Sequence, residues 1–307
     1  AARAVKLCAV EPAAPWSVIA ITFTNKAAGE LKERLERMLD AEKARDIWAA
    51  TFHSACVRIL RRDIERIGFS KDFTIYDTDD SKRVIKDILK ELNLDEKTFQ
   101  PKTVLSVISS AKDKYESPEA FAAKHNNEMD WKMARIAKVY AKYAQKLRAA
   151  NALDFDDIIY HTVTLLQQEP EVLAYYQNKF RYVLVDEYQD TNHLQYLLTS
   201  LLAGGRKNLC VVGDDDQSIY RFRGATIENI LNFEKQYRAS RTIRLEQNYR
   251  STQSILNAAN AVISHNLGRK GKRLWTANGQ GDPITVYEAN DEGAEGNYVA
   301  GQIIKLS

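Results

Sequence analysis

Apolar residues recur along this chain in two registers. Short consecutive runs, Trp16–Ile21, Trp48–Thr51, Tyr182–Val185 and Leu209–Val212, each end at polar or small residues. Bounded in this way they read as buried strands of a parallel sheet, each opening at its carboxyl end into a loop and then a helix. Helical stripes follow two of them, at Leu31, Leu35, Met38 and Leu39 and at Leu194, Leu197, Leu198 and Leu201. Thr24 or Asn25 is placed to cap the first stripe, and Asp190-Thr191 to start the second. Gly204-Gly205 then stops the chain, so the spacing from Tyr182 to Val212 fits a single βαβ crossover. Further along, Thr242–Leu245 and Ile284–Tyr287 predict two more strands, with helices over 253–265 and 292–304. At the other end, Ala4, Leu7 and Cys8 share one helical face, closed off by Glu11-Pro12-Ala13-Ala14-Pro15.

Between about Phe73 and Leu153 the strand pattern gives way to helices, predicted over 81–92, 101–114, 118–124 and 131–149. Lysines 82, 86, 102, 112, 114, 132, 138, 142 and 146 alternate there with acids. Taken singly, each such lysine reads as part of a solvated helical face. The whole pattern predicts an α/β protein with a parallel sheet and a helix-rich, densely charged middle stretch.

Length and charge change this picture little. A chain of 307 residues has room for two or three domains. Its net charge of +3 does not announce a nucleic-acid binder, so such a role needs a local patch. The three cysteines, Cys8, Cys56 and Cys210, stand in apolar contexts without metal-type spacing, as reduced core residues do. No run is apolar enough to span a bilayer and no signal peptide is evident, which predicts a soluble cytoplasmic protein without a membrane partner.

Candidate chemistry concentrates at the strand ends. Tyr182–Val185 runs into Asp186-Glu187, two carboxylates at the edge where open α/β sheets bind ligands. They are costly there unless offset, and a divalent cation with a phosphate is the usual partner. Thr22–Ala28 combines free helix-start amides, small hydroxyls, Lys26 and Phe23, which suits a phosphodiester and a stacked base; a core Phe23 with simple capping is the alternative. His53 alone reads as a helix-start histidine, since no nucleophile or acid is arranged around it. Asp154-Phe155-Asp156-Asp157 has three acids but is better explained by helix capping than by a metal. Tyr220, Phe222 and Arg223 on one loop make a stacking platform, each base stack contributing about 1–3 kcal/mol.

Three segments carry a family resemblance. Asp186-Glu187-Tyr188-Gln189-Asp190, the run from Gly213 to Ala225 and Gln247-Asn248-Tyr249-Arg250-Ser251 stand in the same order as in the UvrD/PcrA/Rep family of superfamily-one DNA helicases, which the chain resembles over nearly its whole length. The resemblance implies a RecA-like motor domain (1A) over residues 1–72 and 153–247, a helical 1B subdomain over 73–152, and the start of a second RecA-like domain (2A) over 248–307. It implies ATP and Mg²⁺ as ligands. Asp186 would hold the metal through coordinated water, Glu187 would orient or deprotonate the attacking water, and Gln217 would touch both the γ-phosphate and the DNA-facing loop. Arg250 resembles an arginine finger and Tyr249 the tyrosine that stacks on adenine.

On the DNA side the resemblance assigns Phe23, Thr24, Asn25 and Lys26 to motif Ia, Phe52 and His53 to motif Ib, and Tyr220, Phe222 and Arg223 to the stacking loop. Phe222 stands where the family usually has tryptophan. The implied partners are single-stranded DNA and its junctions with duplex, with movement 3′ to 5′ in repair or replication.

The phosphate-cradling Gly-x-x-x-x-Gly-Lys-Ser/Thr loop does not occur in the sequence. Gly268-Arg269-Lys270-Gly271-Lys272 has the wrong length and no following Ser or Thr. In the family that loop lies just upstream of the point where this chain begins. The expectation is a fragment that starts inside the following helix, needs the missing N- and C-terminal portions of its parent, and hydrolyses negligible ATP alone. Two other readings stand beside it: a helicase–nuclease motor subunit of the AddA/RecB kind, and a single-strand-binding module that does not hydrolyse.

Overall fold

Four of the predicted runs become strands of one parallel sheet in a computed structural model, which describes residues 4, 6, 13–126, 130–219, 224–266 and 269–306. The strands are β1 (Val18–Thr22), β2 (Trp48–Thr51), β5 (Tyr182–Val185) and β6 (Leu209–Val211), in the spatial order β2-β1-β5-β6. Every pairing is parallel, with Ile21 opposite both Ala50 and Val185, and Val185 opposite Val211. β1 is buried along its whole length, as expected of a strand covered on both faces. The short strands β3 (Thr74–Ile75) and β4 (Ala152–Leu153) pair where the helical insertion leaves and rejoins the sheet domain.

Helix α1 (Asn25–Met38) follows β1, and Thr24 caps it by accepting from Ala27 N at 3.1 Å. After α2 (Ala41–Asp46) and β2, Thr51 does the same for α3 (Phe52–Asp63), accepting from Ser54 N at 3.2 Å. The insertion is built from α4 (Thr78–Glu91), α5 (Pro101–Asp113), α6 (Pro118–Lys124) and α7 (Trp131–Ala149). It has its own core, in which Ile85, Ile88, Val104 and Ile108 meet Tyr140 and Tyr143. Two further helices, α8 (Phe155–Gln168) and α9 (Pro170–Lys179), lead back to β5. The last crossover, through α10 (His193–Ala203), is the predicted one, but its cap is Asn192; Asp190 belongs to a single 3₁₀ turn before it.

The chain divides into two units, Ala1–Gln236 and Tyr237–Ser307. The first closes with α11 (Glu228–Leu231) and α12 (Phe233–Gln236). In the second, α13 (Gln253–Ile263) and α14 (Glu292–Leu306) match the expected helices. Neither Thr242–Leu245 nor Ile284–Tyr287 forms a strand; a lone bridge joins Gln247 to Trp275 instead. Ile243, Leu245, Ile284 and Val286 are all exposed, so the local pattern is present without a neighbour to pair with it.

Cys56 is fully buried, and burial pushes its thiol up to about 12. Cys210 is half-buried in β6, while Leu7 and Cys8 lie outside the described residues. No helix among the described residues is long and apolar enough to cross a membrane.

Candidate functional site

At the end of β5 the chain changes hand. Asp186 N still donates to Ile21 O at 3.0 Å, continuing the sheet, but Glu187 has φ +51° and ψ +42°, the left-handed region. That conformation costs a non-glycine residue about 1–2 kcal/mol and persists where neighbours enforce it. Here Asp186 Oδ1 accepts from Glu187 N at 3.1 Å, Asp190 N donates to Glu187 O at 2.9 Å, and Tyr188 N donates to Val212 O at 2.9 Å. The Tyr188 ring is buried beneath the turn.

Asp186 and Glu187 are both exposed, and among the described residues neither forms an ion pair. Nearby, Asp190 Oδ1 is buried without a hydrogen-bond partner among the described residues; burial first, then the charge of Glu187, pushes its carboxyl up. Adjacent carboxylates with no basic side chain among the described residues to neutralise them have the chemistry that suits a hydrated divalent cation.

The loop after β6 supplies the second half. Asp214 starts a 3₁₀ turn over Asp215–Gln217, and Gln217 binds it twice, through N to the Asp214 carbonyl at 2.9 Å and through Nε2 to Oδ2 at 2.8 Å.

A cavity of about 1050 Å³ opens beside these loops. Glu187, Gln189 and Asp190 from the β5 loop line it together with Asp216 and Gln217 from the β6 loop. So do Phe23, Thr24 and His53 from the ends of β1 and β2. Asp186 is not among its lining residues, nor are Asn25 and Lys26, which are exposed on the first turn of α1. Phe52 is a correction. Its ring is 1% exposed and meets Phe23 edge to face at 5.4 Å, so it supports Phe23 from within the core and offers no surface to a ligand. Tyr220, Phe222 and Arg223 lie outside the described residues.

Several lining residues stand outside the sites expected from the sequence. The helical insertion contributes Ser106, Ser109, Ser110, Asp113 and Lys114, and the start of α8 contributes Phe155 and Asp156. Phe155 is exposed and stacks on His53, with ring centroids 3.8 Å apart and planes 24° off parallel. Burial lowers the imidazole of His53 to about 4, so it is neutral at physiological pH. Asp113 Oδ1 accepts from Asn192 Nδ2 at 2.6 Å, and burial together with the charge of Asp156 raises Asp113 to about 7. Lys114 is the one lysine among the described lining residues, against the acids Asp113, Asp156, Glu187, Asp190 and Asp216.

The second unit holds the remaining two residues on a loop of its own. Asn248 Oδ1 accepts from Arg250 N and Ser251 N at 2.9 and 2.8 Å, and Asn278 Nδ2 donates to Tyr249 O at 3.1 Å. Tyr249 and Arg250 are thereby presented to solvent, and Arg250 forms no ion pair among the described residues.

A parallel sheet with paired carboxylates at one strand end and a glutamine-bearing loop at the next defines the RecA-like class of helicase domain. More particularly, the chain belongs to the UvrD/Rep helicase family. The UvrD/REP helicase N-terminal domain matches residues 1–238, and the UvrD-like helicase C-terminal domain matches residues 243–307.

Among its relatives is the ATP-dependent DNA helicase PcrA of Bacillus subtilis (strain 168), 54% identical over 304 residues, which cover 99% of this chain and 41% of that protein. The ATP-dependent DNA helicase PcrA of Staphylococcus epidermidis (strain ATCC 12228) is 55% identical over 291 residues, covering 95% of this chain and 39% of that protein. That of Staphylococcus aureus (strain NCTC 8325) is 54% identical over the same span. The chain therefore covers well under half the length of these relatives.

Proposed function

We propose that this chain is the motor region of an ATP-dependent DNA helicase that moves 3′ to 5′ along a single strand and opens junctions with duplex, serving repair or replication in the cytoplasm. One observation carries the reading: Glu187 and Gln217 border the same cavity as Phe23, Thr24 and His53. Groups suited to hydrolysis and groups suited to a nucleic-acid strand thus share one space, as a motor that converts one into movement of the other requires.

ATP with Mg²⁺ supplies the phosphoryl group whose transfer to water releases the free energy. In this proposal Asp186 would hold the metal, and Glu187 would orient or deprotonate the attacking water. The Gln217 amide senses the γ-phosphate without changing charge. By the family resemblance, Arg250 would be suited to stabilise developing negative charge and Tyr249 to stack on an adenine. On the DNA side, Phe23 and the Phe155–His53 pair offer ring faces to bases, while Thr24, Asn25 and Lys26 meet phosphates at the start of α1. Tyr220, Phe222 and Arg223 complete the platform.

The test is to extend the chain with the segments of a PcrA relative that it lacks and to measure ATP turnover with and without oligothymidine. Turnover that DNA stimulates and that Glu187→Gln abolishes is the expected result. Single-strand binding indifferent to ATP, with no turnover in the extended chain, would show a binding module instead.

A further inference from the structure

Gln189, two residues beyond Glu187, is 1% exposed, and each end of its amide has a different partner. Nε2 donates to Glu187 Oε2 at 2.8 Å, and Oε1 accepts from Asp214 N at 2.9 Å. A carboxylate only accepts and a backbone N–H only donates, so the chemistry fixes which way the amide faces. Gly213 makes room for it: a Cβ there would lie 2.6 Å from Gln189 Oε1 and 2.8 Å from Ile230 Cδ1. Asp214 in turn holds Gln217 through the two bonds described above. Glu187, Gln189, Asp214 and Gln217 therefore form one continuous hydrogen-bonded series across the ends of two neighbouring strands.

We infer that Gln189 is a positioning residue for hydrolysis, fixing the Glu187 carboxylate and tying its orientation to the loop that carries Gln217. The inference rests on the helicase reading above. Glu187 needs such a partner because its carboxylate is exposed, sits on a strained turn and has no ion pair among the described residues. A group that orients water contributes only while held close to its productive geometry. A displacement of the β6 loop pulls on Asp214 N, hence on the buried amide, hence on Glu187. No charge has to move for the two loops to act together.

Two measurements test this. In the chain as it stands, Gln189→Met removes both bonds at nearly constant volume, and exchange of the Asp214 amide proton is expected to speed up about tenfold or more while the sheet amides stay protected. In the extended enzyme, Gln189→Met and Gly213→Ala are each expected to lower kcat by about 10- to 100-fold with KM for ATP and oligothymidine affinity within about twofold. The double variant should be no slower than the worse single one, because both changes break the same link.

Unchanged Asp214 exchange in Gln189→Met overturns the inference, as does a loss confined to KM or additive effects in the double variant. Normal turnover in both variants overturns it while leaving the helicase reading intact. No turnover in the unsubstituted extended chain overturns both.

Discussion

Lys112 Nζ lies 2.6 Å from Asp154 Oδ2 and 2.7 Å from Asp157 Oδ1, and the Lys112 side chain is 3% exposed. The contact joins α5 of the helical insertion to the start of α8. Tyr143 donates to the same Asp154 oxygen at 2.9 Å, and Asp154 and Asp157 also cap α8 reciprocally. Burial opposes charge on all three groups, but Lys112 and its hydrogen bonds hold Asp154 below the usual carboxylate range. Burial and the charge of Asp154 push Asp157 up to about 7, and the two acids keep Lys112 well above its ordinary value. Such a group is costly to break from one side, because the partners left behind cannot reach water.

Lys112→Met is accordingly expected to destabilise the protein by about 3–5 kcal/mol, read from urea unfolding. Lys142→Met, which removes one of the exposed bridges to Glu91, should change the midpoint far less. Equal effects would contradict the distinction drawn from burial.

Asp113 should impose a pH dependence of its own. It titrates near 3.8 when free and at about 7 when folded. Between those values the native state keeps a proton that the unfolded chain has released, so this stabilisation is complete below the lower value and lost as pH rises through the upper one. Asp113→Asn keeps an acceptor for Asn192 and should gain stability over the parent at about pH 8 but little at about pH 4. A constant difference between the two chains would refute the assignment.

His53 runs the other way. Its folded value of about 4 lies below the ordinary 6.5, so the unfolded chain binds the proton first and stability falls as pH drops below 6.5. His161, lowered to about 3 chiefly by burial, adds in the same direction. Phe155→Ala uncovers the His53 ring and is expected to move its titration, followed by proton NMR, upward toward 6.5. The same change should weaken oligothymidine binding by about 1–3 kcal/mol if bases stack there.

For the chain alone, ATP turnover is expected to stay at the level of a Glu187→Gln control in buffer containing single-stranded DNA. The sequence has no glycine-rich loop to cradle the phosphates. Turnover clearly above that control would show that other groups in this chain replace it.

The strand runs and their acidic end were legible because a buried parallel strand leaves an unbroken apolar signature whatever it pairs with. A cap at Thr24 or Asn25 was legible for a similarly local reason, and Thr24 supplies it. Lys112 was misread as one more solvated lysine, yet it follows Ile108 by four positions and so falls on the buried face of α5. A lysine on an apolar stripe, with three acids at the start of α8, was the available signal. Phe155 and His53 meet across distant parts of the chain, and no periodicity records that. Thr242–Leu245 shows the converse: alternation and β-branching describe a willing strand, but a strand also needs a neighbour.

The charge of the cavity wall bears on how a nucleic acid would lie in it. With carboxylates from both sides and Lys114 as the one lysine among the described lining residues, that part of the wall disfavours a phosphate that brings no cation while offering acceptors to the exocyclic amines of bases. A strand threading this space would turn its bases inward and leave its backbone along the rim, over the helix-start amides of α1 and α3. Grip of that kind depends on ring contact more than on counterion release, so it would survive added salt better than the chain's lysine-studded surface suggests.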